Sequence, residues 1–500
     1  MTNLQLPLVS HQSLVNGHKC LFRSVLVRFS ILTVVLAHTS QGSARAAQPG
    51  NTPGPDASDV DTFADASLFA AVQARIDEGV DRGTNRSIVV GLIFPGGTRF
   101  LKSGTFREGD TRAVNDRTVY ETANVTEVFT GLATAIAVGN GLFSWQDAIE
   151  DILGSKWKIP AYEGKRITLQ HLAQHASGLP ALPENFQPAT RYNPLSEYSR
   201  DDLAKFLAAY SLSAAPGSTQ QHSMIGMALL GYAVEAKSGM AFEAFLQREI
   251  FEPIGMPSTS ITLNEIQRFH YARGHVGEDQ TPLWSAPAFE GSSGVRSNVR
   301  DLLRFVGANL GLEETPLAGV LAQSQERTAN LNEDNVEFGK NWFIAEGCSG
   351  ALYFRSGNTA GHASFIGFNK DRRIGVVALS NSAARVDNLG FHLLDPEHIP
   401  LTPSRKLFDV SARHLAAYTG AFFMLPNGRQ LLITKYADKL YAQIDRLNRH
   451  QVLPVERDVF YYPYLRSNLN FLRDKAGTVE KITFIIEGEE VEAKRVKISG

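Results

Sequence analysis

The sequence predicts an α+β fold in which strands from both ends of one large body share a sheet, with helices between them and a small antiparallel β domain after them. Three observations carry this. Apolar runs of strand length sit early and late, segments with a 3.6-residue period fill the middle, and short strand-like runs separated by turn residues occupy the last hundred positions. In order, Ser67 to Gly79 has helical spacing through Leu68, Phe69, Val72 and Ile76. Ser87 to Phe94 and Thr98 to Ser103 read as two strands around Pro95-Gly96-Gly97. Helices are predicted at about 125–139, 169–175, 201–209 and 225–238, and strands at 351–355, 363–369 and 374–380. Beyond prolines 396, 400 and 403, which break any periodicity, Gln430 to Thr434, Leu440 to Ile444 and Lys481 to Ile486 alternate with turns. No internal repeat is visible.

Composition bounds the function. The 500 residues are 43% hydrophobic and 20% charged, values that exclude wholesale disorder, a coiled coil or a collagen-like chain. With 49 Lys/Arg against 51 Asp/Glu, the net charge of −2 leaves no footprint for a polyanion, so a nucleic-acid partner is not expected. The N-terminus reads as an export signal over residues 1–46. Lys19, Arg23 and Arg28 precede the mostly apolar stretch Phe29 to Ala37, and Ala44-Arg45-Ala46 has the form of a cleavage site. Those nine residues fall short of the ~20 needed to span a bilayer, so a secreted or periplasmic protein without a membrane span is expected. Removing residues 1–46, which hold four Lys/Arg and no Asp/Glu, leaves 45 basic and 51 acidic residues. Of the two cysteines, Cys20 lies in this leader, so Cys348 is expected to be alone in the mature chain. The expected organisation is signal 1–46, flexible linker 47–65, body 66–395, linker 396–406 and β domain 407–500.

Several motifs converge on one family. Tyr120-Glu121-Thr122-Ala123-Asn124-Val125-Thr126-Glu127-Val128-Phe129-Thr130-Gly131 resembles the stretch around the nucleophile of class C serine β-lactamases, DD-peptidases and related esterases, where the pattern is F-E-x-G-S-V-T-K-x-F-T-G. Ile167 to Pro180 is similar to the family's I-T-x-x-x-L-x-x-H-T-S-G-L-P. Pro216-Gly217, Gly226 to Gly231, Phe251 to Met256, Gly291 to Phe305 and Gly361 to Asn381 match further blocks, over roughly residues 66–395. The C-terminal part resembles the lipocalin-like β domains appended to such proteins. The resemblance implies an antiparallel sheet flanked by helices, beside a helical subdomain with the pocket between them.

The catalytic positions depart from the pattern. The resemblance places a Ser nucleophile and a Lys one turn later where this chain has Asn124 and Glu127. An asparagine has no ionisable nucleophilic oxygen, and Glu127 reverses the activating charge, so an acyl-serine at this position is impossible. The Tyr-x-Asn element aligns with His222-Ser223-Met224, and the Lys/His-Thr-Gly element with Arg355-Ser356-Gly357. Three readings stay open. In the first, Asn124, Ser223, Arg355, Ser356 and Gly357 line a non-catalytic pocket for an acyl, peptidoglycan-like or other anionic small molecule. In the second, Glu127 and His222 form an acid/base pair for isomerisation, elimination, cyclisation or direct hydrolysis, with Arg355 holding an anionic group and Asn124 donating to an oxyanion. In the third, Ser223 is a relocated nucleophile, against which stands that neighbours on a strand point apart and that no G-x-S-x-G surrounds it.

Other residues have plainer readings. Ser155-Lys156-Trp157-Lys158 satisfies S-x-x-K but lies among loop residues. His171 and His175 stand at i, i+4 without the Glu of an H-E-x-x-H, which favours structural histidines over a zinc pair. His362 reads as a loop histidine near the Arg355 strand. Asn85-Arg86-Ser87 and Asn124-Val125-Thr126 are formal sequons. Phe460, Tyr461, Tyr462 and Tyr464 read as packing residues rather than a cap on the pocket. No metal or cofactor is called for, and the oligomeric state is left open.

Overall fold

The computed structural model describes residues 66–190, 192–328, 336–340, 342–401, 408–425, 428–445, 450–462, 465, 467–486 and 489–496. The expected signal and first linker, Cys20, Tyr464 and most of the second linker lie outside them. The body holds a seven-stranded antiparallel sheet of β1 (Ser87–Phe94), β2 (Gly97–Gly104), β3 (Val336–Phe338), β4 (Phe343–Gly347), β5 (Gly350–Asn358), β6 (Ala363–Asn369) and β7 (Ile374–Ser380). Its order is β2-β1-β7-β6-β5-β4-β3, so β1 from the N-terminal end pairs with β7 from the C-terminal end, Val90 opposite Ala378.

The strand period of two divides the core. Ile88, Val90, Leu92, Phe365 and Val376 point to one face and pack with Phe69, Val72 and Ile76 of α1 (Ala66–Asp81). Val89, Ile93, Ile366, Phe368 and Val377 point to the other and join the core of the helical subdomain. Both faces are covered, which is why these strands read as continuous apolar runs rather than alternating ones. On the second face helix Val299–Leu310 approaches closely: a Cβ at Gly91 would stand 2.4 Å from Val299 Cγ1.

Behind the sheet, α2 (Thr126–Gly139) and α3 (Met224–Ser238) pack together, and nearly every residue of their facing turns is buried. The C-terminal residues form a closed antiparallel barrel of eight strands in sequence order, from Gly420–Leu425 to Glu489–Arg495. Phe422, Leu431, Ile433, Phe460, Tyr462, Leu469, Phe471 and Ile482 fill its interior. Phe460 and Tyr462 are therefore barrel core.

One expectation needs correction. Strands β3, at one edge of the sheet, and β4 beside it were not predicted; they are short and carry Glu337, Glu346 and Gly347 instead of a β-branched run.

Candidate functional site

The tight turn ahead of α2 places the first two site residues. Ala123 adopts φ +46°, a left-handed conformation costly for a residue with a Cβ, and opens a 3-10 turn over Ala123–Val125 that runs into α2. Gly357 of β5 lies against this turn, where a Cβ would stand 2.5 Å from Asn124 N. Asn124 and Glu127, three residues apart, then share a face, and Asn124 Nδ2 donates to Glu127 Oε1 at 3.0 Å. Thr126 accepts from Val295 N–H at 3.0 Å and Thr130 donates to Gly291 O at 2.5 Å, fixing α2 to the short helix Glu290–Ser293.

Side chains from four further segments reach the Glu127 carboxylate. Ser292 Oγ donates to Oε1 at 2.7 Å. His222 Nε2 lies 3.0 Å from both oxygens. Arg355, on β5, donates through Nη2 to Oε2. His175 Nε2 stands 3.6 Å from Oε2 and 3.0 Å from Arg355 Nη2. The Arg355 guanidinium lies 3.7 Å over the Phe343 ring, and Phe338 packs against His175. Glu127 has no exposed side-chain surface and Arg355 has 2%. Between sheet and helices, where the pocket was expected, these side chains form a buried ion-pair cluster.

Electrostatics follow from this packing. Burial works to raise the Glu127 pKa, but His222, Arg355 and His175 outweigh it and hold the carboxyl well below the usual carboxylate range. Burial, then the nearby His222, pushes His175 well below 6.5 against the pull of Glu127, so this imidazole is neutral. Burial lowers Arg355 while Glu127 opposes the shift.

The four residues Asn124, Glu127, His222 and Arg355 thus meet, and Ser223 and Ser356 do not join them. Ser223 belongs to no strand: it is the N-cap of α3, its Oγ accepting from Gly226 N–H at 3.2 Å and donating to Pro180 O at 2.7 Å, away from Glu127. Ser356 accepts from Arg385 at 3.3 Å. Arg355 donates through Nη2 to Glu127 and is almost fully buried. Ser292, His175 and Phe343 complete the cluster and were not singled out for it; Ser292 lies 165 positions from its partner and carries no local signal.

Glu127, His175 and His222 present ligating atoms within 4.8 Å of one another. A cation there would compete with the contacts already made: His175 Nδ1 lies 3.2 Å from Ser223 N, its Nε2 lies 3.0 Å from Arg355 Nη2, and Arg355 also donates to the Glu127 carboxylate. His171 and His362 are held by structural partners. His171 accepts from Thr168 N–H at 3.2 Å in a capping box. His362, fully buried, lies 3.0 Å from Glu121 and contacts Ala272 O at 2.9 Å. Lys156 pairs with Asp201 on the surface. Both sequon amides are engaged: Asn85 Nδ2 donates to Ser380 Oγ at 3.0 Å, and Asn124 Nδ2 to Glu127 and Ser292.

An antiparallel sheet covered on both faces, with a strained turn feeding the N-terminus of a buried helix beside it, is the layout of the serine β-lactamases and DD-peptidases. The Beta-lactamase family model matches residues 72–394, and the chain belongs to that family. Penicillin-binding protein 4* of Bacillus subtilis (strain 168) is 23% identical over 419 residues, covering 78% of this chain and 90% of that protein. The D-alanyl-D-alanine-carboxypeptidase/endopeptidase AmpH of Escherichia coli (strain K12) is 26% identical over 281 residues, covering 56% and 68%. Among solved structures, a class C β-lactamase from Rhodobacter sphaeroides superposes with a TM-score of 0.55 at 21% identity, covering 63% of this chain and 94% of that one. This last likeness concerns the fold. No helix among the described residues is long and apolar enough to cross a membrane.

Proposed function

We propose that this chain is a non-acylating member of its family, exported by its leader, that recognises an acyl, peptidoglycan-like or other anionic small molecule at the mouth of the former catalytic cleft without turning it over. One observation carries the reading: the carboxylate at the position of the family's lysine has no exposed surface and is saturated by Asn124, Ser292, His222 and Arg355. A general base must reach a substrate proton and hold a pKa near the working pH. Glu127 is out of reach and is held ionised by its neighbours. What the cleft mouth offers is the partly exposed His222 and the half-buried Asn124.

The acid/base reading keeps one supporting observation, the 3.0 Å contact between His222 and Glu127. The two separate by experiment. The purified protein is titrated with a muropeptide ending in D-Ala-D-Ala while its NMR spectrum and any product are followed. Saturable shifts at His222 without product are expected. Product formation abolished by Glu127→Gln would replace this reading with the acid/base one, and absence of saturable shifts would remove the ligand class.

A further inference from the structure

A second site stands apart from the Glu127 cluster and shares no residue with it. The loop after β2 and helix Glu265–His270 enclose an open cleft of about 570 Å³ lined by Arg107, Asp110, Thr111, Arg112, Arg268 and Phe269. Arg112 is its fixed wall. Its guanidinium grips Asp110 through Nε and Nη2, at 3.1 and 2.7 Å, donates to Phe269 O at 3.1 Å, and lies between the Phe106 and Phe269 rings at 4.4 and 5.0 Å. Asp110, the single carboxylate lining the cleft, is consumed by this contact and by Arg112 N–H.

Two guanidinium groups remain for a ligand. Arg107 comes no closer to Asp110 than 3.6 Å. Arg268 donates through Nε to Leu263 O at 3.1 Å and lines the cleft. The nearby acids are otherwise occupied or peripheral: Glu108 pairs with Arg86, Asp116 with Arg300, and Glu265 lies on the helix surface. The helix that carries Arg268 also carries the most exposed large apolar side chains of the described residues, Ile266 at 73% and Phe269 at 65%, and Phe269 lines the cleft. Forked donors suit a group with several acceptor oxygens, and an exposed ring beside them suits an apolar body attached to it.

We propose that this cleft binds a phosphate monoester or diester carried on an apolar body, with Arg107 and Arg268 on the phosphate oxygens and Phe269 against the apolar part. The source is a soluble phosphoester or a lipid headgroup, and two probes separate them. Phenyl phosphate is titrated calorimetrically into the full chain, and co-sedimentation is measured with phosphatidylglycerol and with phosphatidylcholine vesicles. The site predicts saturable binding to phenyl phosphate or selective capture by phosphatidylglycerol, reduced at least tenfold in the Arg107→Gln/Arg268→Gln double variant. Vesicle capture also lost in Phe269→Ser assigns the lipid source, and phenyl phosphate binding without vesicle capture assigns the soluble one. Should the double variant fail to fold, Arg107→Gln alone, at a side chain 55% exposed, gives the same direction with a smaller loss. Failure to bind either probe, or binding that the variants leave undiminished, overturns the assignment.

Discussion

Glu127 is the residue on which the account turns. A buried carboxylate is tolerated only when its charge is compensated and its lone pairs are filled, and five segments of the chain supply what this one needs. Removing the charge leaves Arg355, itself buried, without a counter-ion. Glu127→Gln is therefore expected to lower the unfolding free energy by about 3 kcal/mol in urea titrations at pH 7. A solvent-facing catalytic carboxylate behaves otherwise, since replacing strained active-site groups commonly stabilises. The pH dependence has a definite sign. The folded pKa of Glu127 lies below its ordinary value of 4.5, so its contribution is fully present above that value and is lost as pH falls toward the folded pKa. Glu121 acts in the same direction: burial opposes its ionisation, but His362, Arg296 and Thr359 outweigh it and bring the carboxyl from 4.5 to about 2. Urea midpoints of the wild type should fall steadily from about pH 5 toward pH 2, and more shallowly in Glu127→Gln. At this scale the sequence was half legible. Asn124, Glu127, His222 and Arg355 could be picked out because each stands inside a longer motif. Ser292 and Phe343 could not, because their contacts to Glu127 and Arg355 exist only in three dimensions.

At the scale of elements, burial on both faces made β1, β6 and β7 readable, since a fully covered strand must be apolar at every position. The same physics hid β3, at the sheet edge, and β4 next to it, since neither has a long apolar run. The neighbours His222 and Ser223 were expected to diverge as on a strand. They do diverge, but because Ser223 turns back to cap α3 while His222 reaches Glu127. Gly91 shows how closely the layers meet. Its place on β1 faces Val299 and Leu303, and a Cβ would press on Val299 Cγ1. Gly91→Ala should cost about 1–3 kcal/mol in the same urea titrations without altering the denaturant slope, because it strains the helix-on-sheet contact and leaves the topology alone.

For the whole molecule, the barrel is joined to the body by a contact that its own strand pattern reveals. Along Lys439–Ile444, Leu440, Ala442 and Ile444 point into the barrel, so Tyr441 points out, yet it is 2% exposed. It packs on Gly277, where a Cβ would stand 3.0 Å from its ring, and Lys439 lies 3.5 Å from Glu278 beside it. Tyr441→Ala should uncouple the two parts, so that calorimetry resolves separate transitions for barrel and body where the wild type shows more closely coincident ones. The sequence disclosed a β domain here through its alternating runs and turn signals. That it closes into a filled barrel and docks on the body through the outward-facing Tyr441 and Lys439 depends on pairing between residues far apart in the chain, such as Phe422 with Arg495.

The central claim is that a member of this family has traded its acylating centre for a closed ion-pair cluster. Intact-protein mass spectrometry after incubation with a penicillin and, separately, a fluorophosphonate tests it most directly. The account predicts an unchanged mass with both reagents. A stable adduct mapped by peptide analysis to Ser223, Ser292 or another residue of the cleft would contradict it and would establish a nucleophile where the structure shows only hydrogen-bonded side chains.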